Sequence, residues 1–118
     1  MLTPGEANEL ELAQEPSLSI SAGLDFVSCP IPDREVPSNL AAFRESFRQA
    51  KAALDKGVAV GVHCRAGIGR TGIFCASLLV SSGRRVSEAF EILSASRGVE
   101  MPDTEQQYQW VEKHAKSL

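Results

Sequence analysis

The stretch Val62-His63-Cys64-Arg65-Ala66-Gly67-Ile68-Gly69-Arg70-Thr71-Gly72 holds the residue types and spacing that can do chemistry in this sequence. Cys64 follows a short uncharged aliphatic run, Val58–Val62, and Arg70 stands six positions later, opening an apolar helical pattern. Gly67 and Gly69 lie between them and let the backbone curl with its N–H groups turned inward. A ring of amides at a helix N-terminus cradles anions through hydrogen bonds and the helix dipole. Arg70 adds a planar fork that holds two phosphate oxygens at once, which a lysine cannot match. The same positive field favours a thiolate, with cysteine pKa values of about 3.5–7.5 at helix N-termini against a free value near 8.5. Cys64 therefore reads as a nucleophile aimed at phosphorus, above a phosphate-binding loop of Arg65, Ala66, Gly67, Ile68, Gly69 and Arg70.

A thiolate that displaces an alkoxide or phenoxide needs a proton donor for the departing oxygen. Asp33 lies in the stiff segment Pro30-Ile31-Pro32-Asp33-Arg34-Glu35-Val36-Pro37, which directly follows one extended run, as Cys64 follows another. In a parallel sheet both strand ends open on one edge, so Asp33 can serve as general acid and then as general base for water. Thr71 can hydrogen-bond the cysteine sulfur and help it leave, and the His63 ring can brace the loop backbone as structural support. Each residue also has a plainer reading. Asp33 can cap a turn, with Asp25 as the fallback acid; Arg65 can be a rim charge; Cys29 and Cys75 read as packing residues. A reversible Cys29–Cys64 disulfide is the redox alternative, and Glu6 or Glu9 can pair with Arg70. No His/Cys/Asp cluster has metal-ligand spacing, and the mechanism calls for no metal and no cofactor.

These side chains must be positioned by elements on either side. Thr3-Pro4-Gly5-Glu6 has the pattern of a capping box with proline at the first helical position, and Pro16 opens a second short helix that Gly23 ends. Leu24–Cys29 reads as a strand and Val58–Val62 as a strand buried on both faces. Between them Ser38 or Asn39 caps a helix whose apolar face is Leu40, Phe43, Phe47, Ala50 and Leu54, with Gly57 as its stop. Arg70–Ser82 is a mostly apolar helix stopped by Gly83. A further helix covers Ser87–Arg97, and a last one follows Pro102, capped by Asp103 or Thr104, with Tyr108 and Trp110 as core anchors. That order predicts an α/β fold, a central and mostly parallel sheet flanked by helices.

Composition bounds the rest. The 118 residues fit a single domain, 1–118. A net charge of -3 advertises no nucleic-acid partner, and the near-apolar run Ile73–Val80 is too short for a membrane span. Three cysteines without a secretory leader point to free thiols in a reducing, cytoplasmic setting.

His63-Cys64 through Arg70-Thr71 resembles the signature loop of cysteine-dependent protein tyrosine phosphatases, H-C-x5-R-[ST], and Phe26–Pro37 is similar to the acid loop of their compact dual-specificity branch. The resemblance implies a phosphomonoester hydrolase in which Cys64 forms a phosphocysteine, Arg70 binds phosphate, Asp33 is the acid/base and Thr71 assists the second step. Its substrates would be phosphorylated proteins or small phosphomonoesters. Departures bear on substrate. There is no tyrosine-bearing recognition loop, and Asp103 precedes Thr104-Glu105-Gln106-Gln107-Tyr108 where phosphotyrosine-specific members carry a water-positioning glutamine. Phosphoinositides are a second substrate class. A catalytically weak phosphate-binding module and a thiol redox or sulfur-transfer protein are competing functions, and a vanadate-sensitive turnover assay separates them. The family's sheet has more strands than the two visible here. The chain is thus expected to lack N-terminal strands, as an N-terminally truncated domain whose unpaired sheet edge invites dimerisation.

Overall fold

Six α-helices and a closing 3-10 turn make up the regular structure in a computed structural model that describes all 118 residues. In chain order the helices are α1 (Pro4–Glu9), α2 (Glu15–Ser21), α3 (Leu40–Asp55), α4 (Gly69–Ser81), α5 (Val86–Arg97) and α6 (Glu105–His114), and the 3-10 turn covers Ala115–Ser117. Local chemistry accounts for their starts. Before α1 the Thr3 hydroxyl accepts from the Glu6 N–H at 3.3 Å while the Glu6 carboxylate accepts from the Thr3 N–H at 3.0 Å. Asn39 starts α3 by accepting from the Ala42 N–H at 3.0 Å, and Thr104, not Asp103, caps α6 in a box with Gln107. Gly83 and Gly98 end α4 and α5 at φ 98° and 69°, left-handed values that a side chain would penalise.

The core is built on α4. Its Ile73, Phe74, Ala76 and Val80 are buried against α3, α5, α6 and the 3-10 turn. Phe43 of α3 meets Phe74 edge-on at 5.3 Å between ring centroids and Trp110 of α6 at 4.8 Å. Phe90 of α5 stacks on Tyr108 at 5.2 Å. Truncating such an aromatic costs about 3–5 kcal/mol. Leu54, predicted on the apolar face of α3, is 44% exposed in the last turn of that helix.

The predicted sheet is absent. No residue is in a strand, and the α/β architecture with a central, mostly parallel sheet is corrected to an all-helical set of elements joined by extended segments. Leu24–Cys29 and Val58–Val62 do run extended, but they exchange no main-chain hydrogen bonds with each other. Only the helix-end bonds from Leu24 N–H to Ser19 O and from Val58 N–H to Ala53 O involve their amides. Leu24, Val27 and Val58 are 62%, 46% and 54% exposed, so the run read as buried on both faces is largely uncovered. The physical reason is that an apolar extended run becomes a strand only beside a partner. Met1 bridges the residues that follow them. Its amino group donates to His63 O at 2.8 Å, and its carbonyl accepts from the Ile31 N–H at 3.4 Å. Both segments therefore deliver their C-terminal ends to the same place, which is what the site requires.

Candidate active site

Cys64 ends the second extended segment and is 8% exposed. Its sulfur accepts from the Thr71 hydroxyl at 3.1 Å and from the Gly67 N–H at 3.3 Å. Burial by itself pushes a thiol up. Here hydrogen bonds from the Thr71 hydroxyl and N–H and the Gly67 N–H, with the Arg70 charge, outweigh it and hold Cys64 below the ordinary thiol value. Cys75 is the contrast: burial drives it to about 11, and Cys29 is also raised by burial. All three cysteines are free thiols.

Between Cys64 and α4 the loop bends through Gly67, whose φ of 72° needs a glycine. The N–H groups of Arg65, Ala66, Ile68, Gly69 and Arg70 donate to no protein acceptor. These unpartnered amides lie in the segment where the two glycines lead us to expect an anion cradle. They sit at the start of a 13-residue helix whose dipole adds positive potential.

Arg70, in the first turn of α4, is 1% exposed and heavily engaged. Its Nη1 donates to Glu6 Oε2 at 2.7 Å and to Ile31 O at 2.8 Å; its Nη2 donates to Glu6 Oε1 and to Asp33 Oδ1, each at 2.8 Å. The Nε–H has no partner, a buried donor left without an acceptor. Such an orphan costs about 1–3 kcal/mol unless something accepts from it. The fork also draws Glu6 down: the hydrogen bond from Arg70 holds its carboxyl at about 2.

Asp33 lies in a turn closed by Glu35 N–H to Pro32 O at 3.1 Å and is about half exposed. Its Oδ1 also accepts from the Arg34 N–H at 3.0 Å. His63 contacts the loop backbone through Nδ1 to Cys64 O at 3.3 Å, and its Nε2 meets Glu15 Oε1 at 2.7 Å. Arg65 pairs with Glu9 at 3.0 Å. The fold thus brings Cys64, Arg70, Thr71, Asp33 and His63 together, while Asp25 makes no hydrogen bond or salt bridge to any of them. Of the two glutamates that could pair with Arg70, Glu6 does so and Glu9 takes Arg65.

Three residues were not singled out as participants by the sequence, although Gln107 lies in the Thr104–Tyr108 stretch compared above. Arg97, the last residue of α5, donates to Ala66 O at 3.0 Å and shares with His63, Cys64, Arg65, Gly67 and Thr71 the lining of a cavity of about 350 Å³. Glu15 reaches His63 from α2. Gln107 crosses from α6 to the acid loop. Each comes from an element far away in sequence, and only the helix-end position of Arg97 hints at proximity to a loop. A cavity of about 380 Å³ beside α2, lined by Glu11, Leu12 and Leu18 among others, holds no nucleophile.

Comparisons with known proteins bear on this arrangement. Residues 5–84 match the family described as "Tc-R-P: Polymorphic toxin system, DSP-PTPase phosphatase". Dual specificity protein phosphatase 2 from Mus musculus and from Homo sapiens are each 34% identical over 79 residues, 66% of this chain and 25% of theirs. Dual specificity protein phosphatase 1 from Rattus norvegicus is 30% identical over 66% of this chain and 22% of its own. The chain thus spans about a quarter of the length of these curated relatives. A crystal structure of kinase-associated phosphatase, with its catalytic-site cysteine substituted by serine, matches in fold. Its TM-score is 0.85 over 99% of this chain and 66% of that one, at 21% identity.

Proposed function

This chain belongs to the DSP-PTPase phosphatase family, and from that premise we propose that it hydrolyses phosphomonoesters through a phosphocysteine on Cys64. The substrate phosphate docks on the free amides of residues 65–70 and accepts from Arg70 Nε–H. It also draws Arg70 Nη2 away from Asp33. The Cys64 thiolate attacks phosphorus, forming S–P while the ester P–O bond breaks, and the departing oxygen takes a proton from Asp33. Water then attacks the phosphocysteine and gives a proton back to Asp33. The S–P bond breaks as Thr71 stabilises the returning thiolate by its hydroxyl. Glu6 keeps the buried guanidinium charged and aimed, and His63 holds the loop backbone.

One observation carries this reading: a buried arginine with a single orphan donor stands beside a cysteine held toward the thiolate at a ring of unpartnered amides. The substrates proposed are phosphorylated proteins or small phosphomonoesters. Three free thiols fit a cytoplasmic setting, and no helix is long and apolar enough to cross a membrane. The test is hydrolysis of an aryl phosphate with and without vanadate. Vanadate-sensitive turnover that falls by roughly 10⁴-fold or more in Cys64→Ser is the expected result. Phosphate binding without turnover in the native chain would instead mark a binding module.

A further inference from the structure

We propose that Gln107 is a positioning residue, a clamp that keeps the acid loop over the phosphate loop while Arg70 exchanges Asp33 for phosphate; this rests on the phosphatase reading above. The Gln107 side chain is wholly buried at the start of α6. Its Nε2 donates to Glu35 O at 3.2 Å, two residues beyond Asp33, and its Oε1 accepts from the Thr104 N–H at 3.2 Å. The same carboxamide lies against Gly69 of the phosphate loop. A Cβ on Gly69 would stand 2.7 Å from both Gln107 Nε2 and Oε1, and 2.6 Å from Asp103 Oδ2. One amide group therefore touches the acid loop, the phosphate loop and the cap of α6.

The arrangement matters because of what else holds the acid loop. Asp33 and Ile31 O are both tied to the Arg70 guanidinium. A bound phosphate competes for that guanidinium, so the Asp33 tie is lost at the moment when Asp33 must stay close. The Gln107–Glu35 bond involves no group that phosphate contacts, and it persists through the exchange. Gln107 does not touch the reacting atoms; it acts through the placement of Asp33.

Two variants separate this role from simple packing. Gln107→Met removes both polar atoms at similar volume, whereas Gln107→Glu keeps an acceptor for the Thr104 N–H and loses the donor to Glu35. Both should lower kcat/KM roughly tenfold to a hundredfold on phenyl phosphate, whose leaving group needs a proton. On an aryl phosphate with a strongly acidic phenol the loss should stay within about twofold, because little protonation is needed. Vanadate affinity should hold within about twofold, and the exposed neighbour variant Gln106→Met should match the native chain on both esters. Amide exchange at Arg34 and Glu35 should accelerate about fivefold to tenfold, as expected for one lost hydrogen bond. Equal losses on the two esters, no loss on either, or unaccelerated exchange at Arg34 and Glu35 would each overturn the clamp. If the native chain hydrolyses neither ester, the phosphatase reading falls and the exchange measurement alone decides the clamp.

Discussion

The phosphate loop and the acid loop meet at Arg70, yet they are held in opposite ways. The phosphate loop has a frame of its own around the sulfur, to which Arg97, Glu9 and Glu6 add ties from outside. Its sulfur is bonded by Gly67 and Thr71, three and seven residues away, and its end is the first turn of the best-packed helix in the molecule. The acid loop, 30–37, has only a tight turn and the Asp33–Arg34 contact of its own. Its other ties are borrowed from Met1, Arg70 and Gln107, each at least 30 residues away. The difference teaches that, in the proposed mechanism, one loop would act as a fixed receptor while the other is placed by whatever Arg70 and its neighbours are doing. A rigid cradle suits a group that must meet phosphorus in line, and a tethered arm suits a proton carrier that acts on two different oxygens in turn.

Changing the arm alone gives the largest effect that can break this contrast. Asp33→Asn keeps the size of the side chain and removes its proton. It should lower kcat by about 10²–10⁴-fold on a poor leaving group, with vanadate binding retained. A fall in binding as large as the fall in rate would show that Asp33 shapes the cradle too.

Glu6→Gln strikes the shared anchor and should show as stability. Removing one partner from a buried ion pair costs about 3–5 kcal/mol when the other charge is stranded; Asp33 still faces Arg70, so about 3 kcal/mol is expected in denaturant melts at pH 7. The pH dependence has a definite sign. The Glu6 carboxyl is held at about 2 against an ordinary 4.5, so its contribution is complete above about pH 4.5 and fades as pH falls toward 2. The stability gap between the native chain and Glu6→Gln should therefore close across that window. A gap that stays constant would place the cost in packing, not in charge.

The smallest effect comes from the backbone of the arm. Arg34 has a φ of 61°, a left-handed value that costs a non-glycine residue about 1–2 kcal/mol. Arg34→Gly relieves that strain but adds freedom to the unfolded chain, for a net change within about 1 kcal/mol in thermal melting. A larger loss would show that the Arg34 side chain helps hold the acid loop.

How much of this was legible in the sequence follows from how local each feature is. The helices were, because Thr3, Asn39, Thr104, Gly83 and Gly98 act on the backbone beside them. The grouping of Cys64, Gly67, Arg70 and Thr71 was too, since they are neighbours in sequence and in space. Leu24–Cys29 and Val58–Val62 were misread because apolar alternation shows that a segment is extended and silent about what lies alongside it. The contacts of Arg97 and Gln107 were not legible because their partners, Ala66 and Glu35, are set by the packing of α5 and α6. Leu54 was misassigned because periodicity gives the face of a helix but not how far along that face the neighbours cover it.

Helix α4 joins two jobs in one rigid rod. Arg70 and Thr71 occupy its first turn, and Ile73, Phe74, Ala76 and Val80 carry the core immediately below. The proposed chemistry and mechanical integrity thus share a single component, with no hinge to insulate one from the other. Selection for a softer or harder core would be felt at the sulfur within two turns of helix. Heat should accordingly take activity and structure together, leaving no window in which the folded chain persists without its anion cradle.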